Sequence, residues 1–281
     1  MLVSVLVSLA TQTTLVAQTT SSPSKARVSV ALDKYRLASR PVRIGRIEDA
    51  SGLTYCAETK SLFLVNNDPE IILELGLDGT LKRAIRLKGF NDTEGIAHAG
   101  GSTFFIVEER LGNICRVTIG RRTKQIEYAD RKVLKLHVES NTENKGMEGL
   151  AYDSQGQRLF SVKEKRPLKI YQIAVPKASL KKSTQVEFKN PWQFDQTSLG
   201  LKDVSAVHYD SESGHLLILS HESFCLVETT LDGKEISRLS LRRGSAGLTA
   251  DVPQAEGVTM DDTGKFYICS EPNILYLFKK S

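Results

Sequence analysis

The sequence predicts an all-β protein, a five-bladed β-propeller, from three observations. One short motif recurs five times along the 281 residues, at intervals of about 40 to 60 residues, which is the spacing of propeller blades. Each copy opens a series of short apolar segments separated by turn residues, and helical periodicity is nearly absent. The last series has three segments, and residues 35–44 precede the first without a partner. This N-terminal strand is therefore predicted to complete the last blade and close the ring.

Each copy of the motif has a polar residue with a side-chain oxygen, then glycine or alanine, then an aliphatic residue. We call the polar residues the anchors, and they are Ser51, Glu94, Glu148, Ser205 and Glu256. The inner strand of each blade is predicted to begin at its anchor. Second strands follow near residues 62, 104, 159, 216 and 266, and third strands near 71, 113, 168, 224 and 274. Fourth strands are predicted at 81–87, 125–129, 184–188 and 235–241.

Composition excludes two broad classes of function. Hydrophobic residues make up 40% and charged residues 25% of the chain, as in ordinary globular proteins, and the mean hydropathy of −0.22 argues against a polytopic membrane protein. The net charge of +5 is spread along the chain, and the sequence has no cluster of basic residues interleaved with aromatic residues, the pattern typical of nucleic-acid binding. We therefore expect no nucleic acid partner.

The N-terminus predicts export. Residues 1–28 read as a signal-like segment and linker, and residues 29–281 as a single propeller domain. The apolar run at 2–10 is too short to span a bilayer of roughly 30 Å, and it resembles the apolar part of a secretory signal followed by small residues. We expect a periplasmic or secreted protein without a transmembrane span. The alternatives are a disordered tail and, less favoured, a membrane anchor.

The four cysteines do not predict a zinc site. Cys56, Cys115, Cys225 and Cys269 form no CxxC pair, and no histidine lies at ligand spacing from them. Each falls in an apolar strand pattern, so buried free thiols are expected. A disulfide is the alternative if the protein is exported.

The anchors predict a metal site. Inner strands of a propeller line its central channel, so three carboxylates and two hydroxyls should converge at one mouth. Like charges at such distances would force proton uptake unless a cation lies among them. Only hard oxygen ligands are present, which favours Ca²⁺ over Mg²⁺. The alternative is that the glutamates accept hydrogen bonds from backbone amides of the neighbouring blade.

A second ring is expected at the same mouth, because second strands run antiparallel to inner strands and end where those begin. Its members are Asn67, Glu109, Glu164, His221 and Glu271, and Asp49, Asp92 and Asp203 lie two residues before their anchors. This acidic mouth predicts a cation site or a polar ligand funnel, with a solvated acidic rim as the alternative. Neighbouring carboxylates should favour the charged form of His221.

The motifs carry two resemblances. Over residues 40–281 the chain resembles the SdiA-regulated (YjiK-like) propellers, through DASGLTY at 49–55, DTEGIA at 92–97, KGMEGLAYD at 145–153, DVSA at 203–206 and QAEGVT at 254–259. That resemblance implies a bacterial envelope or secreted protein of undefined biochemical role. The order of the anchors also resembles the central site of the five-bladed calcium-dependent apyrases. It implies that the calcium ligands are Ser51, Glu94, Glu148, Ser205 and Glu256.

Two functions follow from these expectations, and a purely structural scaffold is a third possibility. The first is a monomeric, calcium-stabilised propeller that binds a small molecule or protein at the acidic mouth, favoured because the chain has neither GxSxG nor a P-loop. The alternative is a calcium-dependent hydrolase of phosphate esters, nucleotides or simple esters. Its candidate catalytic residues are Glu109, Glu164, His221 and Glu271.

Overall fold

The computed structural model describes residues 28–136, 146–164, 168–175, 183–186, 188–193 and 199–281. Five separate sheets, each of four or five strands, form the five blades of a β-propeller, which confirms the predicted fold. The described residues include two short 3-10 helices: Leu32–Lys34 precedes the first strand, and Tyr128–Asp130 lies between Gln125–Glu127 and Lys132–Leu136. In this described part of the chain no helix has the length and apolar character to cross a membrane. The predicted signal-like segment lies outside the described residues, apart from residue 28.

Each blade begins with an inner strand at the channel and continues outward through antiparallel neighbours. Blade 1 consists of Ala50–Cys56, Ser61–Asn66, Ile71–Leu75 and Leu81–Lys88, and blade 2 of Thr93–His98, Thr103–Glu108, Asn113–Thr118 and Lys132–Leu136. Blade 3 consists of Met147–Asp153, Arg158–Lys163, Lys169–Ala174 and Phe188–Gln193, and blade 4 of Ala206–Asp210, His215–Ser220, Cys225–Thr229 and Glu235–Ser240. Blade 5 consists of Ala255–Met260, Phe266–Ser270 and Ile274–Lys280, with Tyr35–Leu37 outermost.

Two predicted fourth strands were wrong, at 125–129 and 184–188. Gln125–Glu127 pairs in parallel with the outer strand of blade 1, and Thr184–Val186 pairs in parallel with the outer strand of blade 2. In each case the chain passes back across the edge of the preceding blade before it continues. The added strand covers backbone groups at that edge. Alternation of apolar and polar residues identifies a strand, but it does not identify the sheet with which the strand pairs. The sequence pattern therefore assigned both strands to the wrong blade.

The predicted closure of the ring is confirmed. Tyr35–Leu37 pairs antiparallel with Ile274–Lys280, and Val42–Arg43 pairs with the same strand further along. The buried carboxylate of Glu228 in blade 4 holds the residues before this strand. It accepts hydrogen bonds from the backbone N–H groups of Val30 at 2.7 Å and Ala31 at 3.1 Å. The N-terminal segment thus ties blade 4 to blade 5.

The glycine after an anchor allows neighbouring inner strands to approach closely. A Cβ at Gly95 would lie 2.4 Å from the carbonyl oxygen of Glu148, and one at Gly149 would lie 2.5 Å from Cα of Ala206. No side chain fits at these distances, so Gly95 and Gly149 are required for packing between blades.

Apolar side chains fill the space between blades, and the cysteines belong to these layers. Cys56 and Cys115 pack between blades 1 and 2, Cys225 packs between blades 3 and 4, and Cys269 packs between blades 5 and 1. All four are buried and free, as expected from their apolar surroundings in the sequence.

Candidate functional site

Four of the five anchors lie in β-bulges at one end of the channel. The pairing of inner and second strands shifts register between Ala50 and Gly52, Thr93 and Ile96, Met147 and Leu150, and Ala255 and Gly257. A bulge inserts an extra residue and redirects its side chain away from the regular ladder. Ser205 differs, because it immediately precedes the inner strand of blade 4.

The predicted second ring lies at the same mouth. Each of its residues directly follows the second strand of its blade. In three blades the backbone N–H of the second-ring residue donates to the backbone carbonyl oxygen of the residue two positions before the anchor. These hydrogen bonds join Asn67 to Asp49 at 3.1 Å, Glu109 to Asp92 at 2.9 Å and Glu271 to Gln254 at 3.0 Å. The recurring hydrogen bond confirms that the hairpins bring both rings together.

The tightest carboxylate cluster belongs to blade 2. Asp92, Glu94 and Glu109 each place a carboxylate oxygen within 4.8 Å of the others. Nδ2 of Asn67 donates to Oε1 of Glu94 at 2.9 Å and, at 3.3 Å, to Oδ1 of Asp92. Nε of Arg110, a largely exposed side chain, lies 2.9 Å from Oδ2 of Asp92. The guanidinium of Arg110 therefore contacts one of the three carboxylates of this cluster.

Negative charge is crowded on this side of the mouth. Burial, followed by repulsion from Glu109, Asp49 and Asp92, raises the pKa of Glu94 to about 8. Burial raises the pKa of Glu148 well above its ordinary value, and the charges of Glu94 and Glu109 add to the effect. Burial, with the added repulsion of nearby carboxylates, thus disfavours the ionised form of both anchors in the absence of an added cation.

The side of the mouth at blades 4 and 5 carries its own cation. Nδ1 of His221 lies 2.9 Å from Oδ2 of the fully buried Asp203 and 3.3 Å from Oε1 of Glu256. Hydrogen bonds to these two carboxylates raise the pKa of His221 to about 10. This shift favours the imidazolium form of His221 at neutral pH, the direction expected from its carboxylate neighbours. The imidazolium lowers the cost of ionising Glu256, whose pKa is still raised, chiefly by burial.

The two serine anchors bond to backbone oxygens. Oγ of Ser51 donates to the carbonyl oxygen of Asp49 at 3.2 Å, and Oγ of Ser205 donates to that of Ala255 at 2.6 Å. Both side chains are buried. A hydrogen bond with Ser51 also acts to lower the pKa of Glu94, so the Ser51 hydroxyl lies beside the cluster of Asp92, Glu94 and Glu109.

The other predicted residues also face the mouth. Burial, followed by the charges of Glu256 and Asp49, raises the pKa of Glu271 to about 7. Burial also raises the pKa of Glu109, whose Oε1 accepts the N–H of Gly146 at 2.9 Å. The charge of Glu164 contributes to the raised pKa values of Glu148 and Glu256. The sequence ranked Asp92 below the anchors because its role depends on close contact with Glu94 and Glu109, which spacing alone does not reveal.

The fold and the acidic channel mouth define a β-propeller with a polar central site. The model of the SdiA-regulated family matches residues 27–279, so this chain belongs to the SdiA-regulated family. Two solved structures share the propeller fold. A chain of a nidogen/laminin complex is 15% identical with a TM-score of 0.52, and the match covers 80% of this chain and 73% of that one. A luciferin-regenerating enzyme is 9% identical with a TM-score of 0.52, and the match covers 87% and 94% of the two chains. At such identities the likeness establishes the fold alone.

Proposed function

We propose that this propeller binds a calcium ion at its acidic mouth and uses the mouth to bind a ligand or partner. The observation that carries the proposal is the convergence of Asp92, Glu94 and Glu109 on one point. Glu148 adds a fourth carboxylate whose charge interacts with Glu94 and Glu109. A divalent cation among them would compensate the charges that raise these pKa values.

The donor atoms fit calcium. The mouth offers carboxylate, amide and hydroxyl oxygens, and Ca²⁺ takes 6–8 such ligands at flexible geometry, with waters completing the shell. Mg²⁺ fits less well, since it demands a tight octahedral arrangement. Asp92, Glu94 and Glu109 would hold the ion beside Glu148. The full ring of five anchors, including Ser51, Ser205 and Glu256, stays a prediction.

The balance of charge favours a cation on the side of blades 2 and 3. His221 already compensates Asp203 and Glu256 on the opposite side. The exposed Arg110 and a bound cation would give the mouth positive groups among carboxylates, which suits a small polar molecule or an acidic segment of a protein. The signal-like sequence at 1–28 supports a role in the periplasm or outside the cell.

Thermal melts of chelator-treated protein test calcium binding. We expect added calcium to raise the melting temperature of the wild type, because a ligand that binds only the native state stabilises it by mass action. Glu94→Gln should melt higher than the wild type in EGTA, since it removes repulsion, and should lose the calcium response. The matched control is Glu127→Gln, an exposed carboxylate paired with Lys88 on the outer edge of blade 1. An identical calcium shift in Glu94→Gln would contradict the site.

Glu271 favours a second function, the calcium-dependent hydrolysis of a phosphate ester, nucleotide or simple ester. Its pKa of about 7 suits a general base that acts near neutral pH. Glu109 and Glu164 are alternative bases at the same mouth. His221, with its pKa of about 10, would act as a cation or proton donor rather than as a base.

A substrate panel distinguishes the two functions. Nucleotides, phosphomonoesters, phytate and simple esters would each be assayed with calcium and with EGTA. Turnover that requires calcium and follows a base of pKa near 7, and that is lost in Glu271→Gln, would establish an enzyme. Calcium binding without turnover of any of these substrates would instead support the first function, a calcium-binding propeller that binds a ligand or partner.

A further inference from the structure

A second group of metal-ligating side chains lies at the opposite end of the channel. Cys56 is the last residue of the inner strand of blade 1, and His98 is the last residue of the inner strand of blade 2. Glu58 lies in the turn that follows Cys56. The anchors are at the starts of these same strands, so the two sites are separated by the length of a strand.

Three ligand atoms of different chemistry meet at this place. Sγ of Cys56 lies 3.7 Å from Nε2 of His98 and 3.5 Å from Oε2 of Glu58. Oε2 of Glu58 lies 3.3 Å from Nε2 of His98. In a tetrahedral zinc site, bond lengths of about 2.3 Å to sulfur and about 2.0–2.2 Å to nitrogen or oxygen place ligand atoms roughly 3.4–3.6 Å apart. The observed separations match this spacing.

The geometry differs from that of an activated nucleophile. In a thiol–imidazole–carboxylate relay, the thiol and the carboxylate bind opposite nitrogens of the ring. Here Cys56 and Glu58 both approach Nε2 of His98. Convergence of thiol, carboxylate and imidazole on one point is what a shared metal ion requires.

We propose that Cys56, Glu58 and His98 bind a zinc ion, with a fourth position open to solvent or a small ligand. The open side adjoins a cavity of about 210 Å³ that reaches solvent, and Cys56 and Glu58 contribute to its lining. Three protein ligands with one open position are typical of catalytic or ligand-exchanging zinc sites, whereas structural sites use four.

Two of the ligands are oriented by other contacts. Oε1 of Glu58 accepts the backbone N–H of Gly101 at 2.6 Å, which leaves Oε2 facing the thiol and the imidazole. The ring of His98 packs against Phe104 with 4.8 Å between centroids.

Cobalt substitution in the full chain tests this proposal. Protein stripped with chelator would be titrated with Co²⁺, which gives a thiolate-to-cobalt charge-transfer band and, when tetrahedral, intense visible bands. We expect one equivalent to bind with both signals and to be displaced by zinc. Cys56→Ser should abolish the charge-transfer band. Cys225→Ser is the matched control, since it removes another buried thiol and should leave the band unchanged.

Glu58→Gln guards against a folding defect in Cys56→Ser, because the Glu58 side chain is 48% exposed. The variant should fold normally. It should weaken zinc binding at least tenfold, because loss of a residue that merely supports a ligand already costs about that much. Glu127→Gln, which changes an exposed carboxylate outside both proposed metal sites, should leave cobalt binding unchanged. Absence of a charge-transfer band in the wild type, its survival in Cys56→Ser, or unaltered zinc affinity in Glu58→Gln would each overturn the proposal.

Discussion

Nδ1 of His221 lies 3.3 Å from Oε1 of Glu256, across the junction between blades 4 and 5. The same nitrogen lies 2.9 Å from Oδ2 of Asp203. This imidazolium lies against two carboxylates. On the side of blades 2 and 3 the guanidinium of Arg110 contacts Asp92, while burial and neighbouring carboxylates raise the pKa values of Glu94 and Glu148. The mouth is thus electrostatically asymmetric, and the asymmetry determines where an additional cation would be most stabilising.

Replacement of His221 should destabilise the protein. His221→Gln removes the cation beside the fully buried Asp203, and an uncompensated buried charge costs on the order of 3 kcal/mol. We expect denaturant unfolding at pH 7 in EGTA to show a loss of that order. An unchanged unfolding midpoint would show that Asp203 is satisfied by hydrogen bonds from Oγ of Ser220 and from the backbone N–H groups of residues 221 and 222, which the variant keeps.

The calcium-free protein should lose stability as pH rises. The pKa values of Glu94 and Glu271 are raised to about 8 and about 7, above the ordinary value of 4.5. The native state therefore binds more protons than the unfolded chain between pH 4.5 and 8, and stability falls over that range. We expect the melting temperature in EGTA to decline from pH 5 to pH 8 and calcium to remove most of the decline.

Glu94→Gln provides the control for this pH dependence, because the variant cannot ionise at that position. Its decline between pH 5 and 8 should be smaller than in the wild type. A melting temperature that rises over this range in EGTA would contradict the raised pKa values of the mouth.

The glycine after Glu148 should not tolerate a side chain. In Gly149→Ala the new Cβ would lie 2.5 Å from Cα of Ala206, a backbone atom of the next blade, and such overpacking typically costs about 1–3 kcal/mol. The matched control is Gly120→Ala, where the nearest atom would be Oγ1 of Thr123 at 3.8 Å. Chemical denaturation should show a loss in the first variant only, and equal stability of the two would refute close approach of the blades.

Glu228 should hold the N-terminal closure. Its carboxylate accepts hydrogen bonds from Val30 and Ala31 and contacts Nδ1 of His215 at 2.7 Å. Glu228→Gln keeps the shape but loses the charge, and we expect a destabilisation of about 1–3 kcal/mol. Hydrogen exchange should accelerate at Val30 and Ala31 more than at inner strands. Uniform exchange along the chain would argue against a local closure.

Much of the fold was predictable because it repeats. The spacing of Glu94, Glu148 and Glu256 identified the blades, and hairpin geometry then placed Glu109 and Glu271 at the same mouth. The unpartnered segment at 35–44 was correctly assigned to the last blade. The strands at 125–127 and 184–186 were misassigned because parallel pairing with a preceding blade leaves no signature in local alternation.

The sites were less predictable than the fold, since they depend on contacts between blades. Cys56 and His98 are 42 residues apart and meet only because inner strands of adjacent blades end side by side. Spacing within the sequence therefore argued against zinc. The cluster around Asp92 likewise depends on a β-bulge between Thr93 and Ile96. A bulge redirects side chains, and the local sequence pattern does not reveal it.

Direct calcium binding to chelator-treated protein tests the central claim, that the acidic mouth is a cation site. Competition with a chromophoric calcium chelator would be measured for the wild type, Glu94→Gln and the control Glu127→Gln. We expect saturable binding of one calcium ion by the wild type and by Glu127→Gln, and a loss of at least tenfold in affinity in Glu94→Gln. No competition by the wild type, or equal affinity in Glu94→Gln, would contradict the account.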